Sequence, residues 1–300
     1  MITIRWCNYA LDELNRIWYN TDMETTKKYF EEFERLFHNE QICIDYLYNL
    51  RWKNGWRCPR CSHNEHWKVG DMKYKCKECG YQSTIISGTL LQRSHLSISK
   101  WLRSTWYVAN ETGCANALEM QNMIDLGSYH TALSVLNKLR TAISRCEKPK
   151  LKGTVIVDDV FIKSDADGFP FHTYIAVEDR ENGYGQISME LHSQTDYHSF
   201  IRRNIASGST IRTNGINIYA RVPDGYYLTL IKRKSGSKML PLIEDVVNEI
   251  LDCRLLGSRQ SSCSHKKRNM YLEECCFKFN RRNKKAESLF EEILLSVINC

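Results

Sequence analysis

The sequence predicts a multidomain α+β chain: N-terminal helices, a small β module built on four cysteines, a helix-turn-helix region, and a C-terminal α/β layer with a mixed sheet. Three observations carry this expectation. Two CxxC pairs, Cys58/Cys61 and Cys76/Cys79, frame short strand-like runs; helical periodicity follows from Ser97 to about residue 146; and from residue 154 β-rich runs alternate with helical ones. With 300 residues, 42% of them hydrophobic, the chain has enough apolar material to fold into real cores.

Residues 1–51 read as a helical segment. Phe30, Phe33 and Phe37, then Cys43, Tyr46, Leu47 and Leu50, fall at three- and four-residue steps, which suits two short amphipathic helices. Residues 52–93 show turn residues and the strand-like pieces HWKVG and MKYKC without a helical period, so they form a small β module with too little core to stand alone. Residues 94–147 return to helix, with Ser97 as the N-cap of the first and LGS, Leu126 to Ser128, as a tight break before the last. CEKPKLKG, 146–153, is the natural linker to residues 148–300, where strands near 154, 172, 185, 209 and 226 and helices near 195–206, 240–256 and 266–280 describe an α/β unit.

Thirteen cysteines, an odd number with only four regularly spaced, argue against a secreted disulfide framework and for reduced thiols plus one metal site. Each CxxC brings two thiolates to one ion from a tight turn, and two such turns complete a tetrahedral zinc site at Cys58, Cys61, Cys76 and Cys79. Four thiolates leave no open position for water, so the expected zinc is structural and its binding is coupled to folding of the module. His63 and His66, between the pairs, are competing ligands.

The net charge of +7 is concentrated beside these cysteines: residues 58–150 hold 13 basic against 7 acidic side chains. Such an excess is the footprint of a polyanion binder. A helical pair joined by a short turn serves plain packing as well as DNA binding; behind a zinc ribbon in a basic segment, DNA is favoured. Ser128, Tyr129, His130 and Thr131 at the start of the second helix would then face base edges, with the basic Lys138 and Arg140 further along it.

In the α/β unit, Asp158 and Asp159 sit side by side on a β run, and alternation turns only one of them to the side of positions 156 and 160. Thr213, Asn214 and Gly215 follow a later run. On the helix PLIEDVVNEILDC, Leu242, Val246, Glu249 and Cys253 share a stripe, making Glu249 the inward acid, with Glu244, Asp245 and Asp252 as solvated charges. No apolar run approaches the roughly 18 to 20 residues that cross a bilayer, and the N-terminus lacks a signal-peptide core, so no membrane partner is expected.

Together these motifs, with ICIDYLYNLRWKNGWRCPRCS, YKCKECGYQSTIISGTLL, GTVIVDD, SGSTIRTNG and YLEECCFKFNRR, resemble DDE transposases of the ISXO-like insertion-sequence group, related to the Merlin transposons. The resemblance implies an RNase H-like domain whose acids hold two magnesium or manganese ions for DNA strand cleavage and transfer. Asp158 matches the first acid and Glu249 the helix acid, with Glu273 or Glu274 as alternatives. At the second position, where the family has Asp before Gly, this chain has Asn214; Ile216 replaces an aromatic residue, and Leu251 and Asp252 stand near a missing lysine. These departures imply impaired activity, with a catalytically inactive, sequence-specific DNA-binding protein as the alternative. The implied partners are double-stranded DNA, both element ends and target, and further copies of the chain in a homodimer or larger assembly. The implied location is intracellular with DNA, in a bacterial nucleoid or a nucleus.

Overall fold

The computed structural model describes residues 30–111, 113–162, 171–181, 183–214, 221–232, 239–252 and 265–299. Residues 30–36 are helical, and α1 (Glu40–Arg51) follows, opened by Asn39, whose side chain accepts the Ile42 N–H. The β module is a three-stranded antiparallel sheet, β1 (His66–Lys68), β2 (Lys73–Cys76) and β3 (Gln82–Thr84), in that order. Its inward residues Trp56, Tyr74 and Ile85 are buried in one cluster with the helices, which is how so small a sheet acquires a core. Arg51 fastens the joint by donating to the carbonyls of Ile85 and, at 2.5 Å, Ser87.

Helix α2 (Ile98–Asn110) starts at Ser97, as the sequence indicates, and the Glu40 carboxylate of α1 takes the N–H groups of Ile98 and Ser99 at 2.7 and 2.9 Å. Helices α3 (Ala117–Ile124) and α4 (Tyr129–Arg145) are joined by a short turn through the left-handed Asp125, and Ser128 caps α4. The last helix, α8 (Ala286–Ile298), belongs to the same core: Phe290, Ile293, Leu294 and Val297 pack with Phe33, Phe37, Trp106 and Leu136. The helical body is therefore built from both ends of the sequence, and the division at residue 148 is crossed by α8.

The second sheet has the order β6-β5-β4-β7-β8, from β4 (Thr154–Ile162), β5 (Phe171–Arg180), β6 (Gly183–Leu191), β7 (Thr210–Thr213) and β8 (Tyr227–Leu230). β5 runs antiparallel to both neighbours, whereas β4, β7 and β8 are parallel. Alternation along β4 gives each face its cover. Val155 and Val157 meet Phe200 and Ile201 of α5 (Tyr197–Asn204), while Ile156 and Val160 meet Ile243 and Val246 of α6 (Pro241–Asp252) and Leu272 of α7 (His265–Phe279).

A buried charge cluster joins the two bodies. Glu274 on α7, with no exposed surface, accepts from Arg140 Nε at 2.7 Å, Lys278 Nζ at 3.2 Å and the Ala115 N–H at 2.9 Å. Arg140 also donates to the Ala115 carbonyl at 2.8 Å and lies over the Tyr271 ring. Arg140 is only 1% exposed, which corrects the expectation that it reaches DNA: its guanidinium is spent on a buried carboxylate.

Candidate metal centre and candidate carboxylate site

The four thiols converge. All four sulfurs lie within 4.8 Å of one another, with Cys58 to Cys79 and Cys61 to Cys76 at 3.6 Å. Zinc–sulfur bonds of about 2.3 Å in a tetrahedron place sulfurs about 3.8 Å apart, so the cluster suits zinc without rearrangement. Two like turns bring this about. In each, the first cysteine's N–H donates five residues ahead, to His63 at 2.8 Å and Tyr81 at 2.9 Å, and its carbonyl accepts from Ser62 or Gly80 at 2.9 and 3.2 Å. Ser62 and Gly80 are the matching left-handed positions, at φ 62° and 69°. Burial opposes charge on Cys58, but N–H donors at Cys61 and Arg60 outweigh it and draw that thiol down to about 6. At Cys61 the His63 N–H favours charge, but burial and the three neighbouring sulfurs outweigh it and push the thiol up to about 12, so a cation among them would be what holds all four as thiolates. His66 is not a ligand: it packs among Trp56 and Tyr74.

The second site lies at Asp158, fully buried and on the side of Ile156 and Val160. Continuing the parallel register of β4 and β7 sets Asn214 beside it, and Asn214 Nδ2 donates to Asp158 Oδ1 at 3.3 Å. The Leu240 N–H, at the start of α6, donates to Asp158 Oδ2 at 3.3 Å. The carboxylate thus sits at a helix N-terminus, where negative charge is favoured. Asp159, on the other side of β4, binds His172 Nε2 at 2.7 Å, and the His172 ring stacks between Phe161 and His192. Burial, followed by the neighbouring His172, holds His192 below the usual imidazole range.

Glu249 is elsewhere. Its carboxylate accepts from the Tyr184 hydroxyl, which raises the phenol's pKa. The registers pair Asp158 with Ile175 and Ile175 with Met189, so Tyr184 lies five residues further along β6 and two strands over. That is about 16 Å along the strands and about 10 Å across them. The face that α6 buries is Ile243, Val246 and Val247, with Leu242 and Glu249 half-buried, so the expected inward stripe is rotated. Glu273 and Glu274 pair with Lys148 and Arg140 and are not beside Asp158. Gly215, Ile216 and Cys253 lie outside the described residues. Glu244, read from sequence as a solvated charge, is half-buried one turn after Leu240, and helical side chains lean toward the N-terminus. Pro241, the first residue of α6, is the sequence signal for where this helix starts, and so for the turn that sets the Leu240 N–H on Asp158.

Of the expected DNA-facing residues, Ser128, Tyr129 and His130 are exposed, and Tyr129 is 52% so. Thr131 is half-buried, with its N–H on the Ser128 hydroxyl; Lys138 is half-buried over the Trp101 ring.

Residues 38–82 match a transposase zinc-ribbon domain. The matched stretch runs from just before α1 to the start of β3 and contains all four cysteines of the cluster, so the zinc-ribbon reading of this module stands on both geometry and family. The chain is also similar to the uncharacterized protein of transposable element ISH50 from Halobacterium salinarum, 25% identical over 139 residues. That match spans 45% of this chain and 46% of the relative, so it covers under half of either protein. No solved structure matches. Among the described residues no helix is long and apolar enough to cross a membrane.

Proposed function

We propose that the chain is a transposase-type protein that binds double-stranded DNA through its ribbon and the exposed start of α4, and that its α/β unit is a DDE-type strand-transfer domain impaired at the second acidic position. The match of residues 38–82 to a transposase zinc-ribbon domain carries the first part. The second part is supported by the sheet order, three antiparallel strands extended by two parallel ones, which suits an RNase H-like layer with Asp158 on its central strand. The adjacency of Asp158 and Asn214 supports it further.

Asp158, the Asn214 amide oxygen and a carboxylate of α6 are hard oxygen donors of the kind magnesium and manganese accept. Such an ion, when bound, supplies charge neutralisation at a scissile phosphate. Within α6, Glu244 lies nearer the Leu240 N–H that holds Asp158 than does Glu249, which Tyr184 holds about one and a half turns further on. The Asn214 amide donates to Asp158, where a second carboxylate would repel it. The residues do two further things. The Leu240 N–H fixes the orientation of Asp158, and the burial of Asp158 holds its carboxylate in an environment where a cation would be weakly screened.

That burial, together with Asn214, favours a second reading, a protein that binds DNA and does not cut it. Thermal melts separate the two. Asn214→Asp is expected to lower the melting temperature in chelator and to recover with millimolar manganese, whereas Asp158→Asn/Asn214→Asp does not respond. If manganese moves neither Asn214→Asp nor the parent chain, the carboxylate site is not a cation site and the binding-only reading stands.

A further inference from the structure

The outer face of the ribbon sheet has no part in the metal cluster or the core, yet it is built from residues that recognise nucleic acid. Along β2, Tyr74 and Cys76 point inward and are buried, while Lys73, Lys75 and Lys77 point outward and are exposed. Alternate residues on a strand are about 6.6 Å apart, so three ammonium groups span about 13 Å of one edge-on row. Trp67, 57% exposed, is the direct partner of Lys75 across the β1–β2 pair, and Gln82 is its partner on the other side, giving a cross-strand row of indole, ammonium and amide. Lys77 Nζ lies 4.7 Å from the centre of the Trp67 ring and 3.1 Å from Glu65. Of the acids of this module, Asp71 and Glu78 stand in the β1–β2 turn and the second cysteine turn, and Glu65, before β1, reaches the row only at its Lys77 end, leaving Lys73 and Lys75 clear of it.

Trp67 and Val69, 57% and 46% exposed at alternate positions, make too small an apolar surface for a protein-docking patch; a flat ring flanked by lysines suits a phosphodiester backbone with a sugar or base edge against the ring. The geometry points to this face as a second duplex-DNA contact, in which Lys73, Lys75 and Lys77 lie on phosphates and Trp67 anchors the sheet at the groove edge. This rests on the DNA-binding reading above and deepens it, because it assigns the ribbon a contact separate from the start of α4. Zinc then acts at a distance: the Cys76 thiolate fixes the strand whose alternate residues are the lysines.

The test uses the full zinc-loaded chain and a labelled 30-base-pair duplex carrying DNA that flanks the gene, with binding followed by anisotropy from 50 to 200 mM salt. Lys73→Ala/Lys75→Ala is expected to weaken binding about tenfold at low salt and to flatten the slope of log K against log salt by about 1.8, the value for two lost phosphate contacts. Trp67→Ala is expected to weaken binding severalfold with the slope unchanged. Unchanged zinc content and circular dichroism show that the variants fold. If the parent binds with a steep salt dependence and the lysine variant matches it, this face is not the contact, although DNA binding by the chain survives. If the parent does not bind, both readings fall together. If the variants keep DNA affinity but lose self-association in sedimentation, the face belongs to a second copy of the chain, which also overturns the proposal.

Discussion

Replacing Glu274 with glutamine is expected to destabilise the whole chain more than any surface change. The carboxylate is 0% exposed, and its partners Arg140 and Lys278 are 1% and 7% exposed. Glutamine keeps the shape and an acceptor for the Ala115 N–H, but it leaves a guanidinium and an ammonium buried around a neutral amide whose own N–H groups face donors. Breaking a buried pair from one side costs about 3–5 kcal/mol, a third or more of the total stability of many domains. Urea melts at pH 7, followed by far-ultraviolet circular dichroism, read this directly. The pH dependence carries a second signature. Burial raises the Glu274 pKa, but Arg140 and then Lys278 outweigh it, so the folded value lies below the ordinary 4.5. A depressed carboxyl contributes stability that is complete above 4.5 and is lost as pH falls through the folded value. The gap between parent and Glu274→Gln should therefore be flat from pH 7 to about 5 and close only below that. Exchanging Arg140, Glu274 and Lys278 together for methionine should restore most of the loss, since no charge is then stranded. A Glu274→Gln variant within about 1 kcal/mol of the parent, or a triple variant less stable than the single one, would mean that the buried charges are not held by Glu274.

Other expectations follow from the two sites. Cys76→Ser should abolish zinc binding and make residues 52–93 protease-sensitive while the α/β sheet persists; retained zinc at parental stoichiometry would contradict the four-thiolate site. Ser62→Gly should stabilise the zinc-loaded ribbon by about 0.5–1 kcal/mol by relieving a left-handed side chain, and Gly80→Ala should lose about as much, both read as shifts in melting temperature. In an Asn214→Asp background, Glu244→Gln should remove the manganese-induced rise in melting temperature and Glu249→Gln should leave it; the reverse order would return the third acid to Glu249.

The ribbon was legible because metal-ligand spacing is local: CxxC twice within 22 residues states both the turn and its chemistry. Asp158 and Asn214 were legible as candidates because short β runs mark their strands. Their adjacency depends on a parallel crossover that a local pattern does not display. Arg140 and Glu249 went the other way for the same reason. A basic residue on a helix is read as exposed unless its partner is known, and Arg140 finds Glu274 134 positions away. A stripe through Leu242, Val246, Glu249 and Cys253 turns Glu249 inward, but the face that packs is set by how α6 crosses the sheet, which keeps Val246 and adds Ile243 and Val247. The return of α8 to the N-terminal core is likewise invisible in its own amphipathic pattern, which shows an apolar face without naming what covers it.

Strand cleavage separates a strand-transfer domain from one that only binds DNA. Labelled duplexes carrying the DNA that flanks the gene are incubated with magnesium or manganese and either the chain as it stands or its Asn214→Asp variant, and the products are resolved on denaturing gels. Asn214→Asp is expected to cleave in a metal-dependent way that Asp158→Asn abolishes, and the parent far less. Binding without cleavage by both, under conditions where Asn214→Asp is folded and zinc-loaded, would contradict the strand-transfer reading.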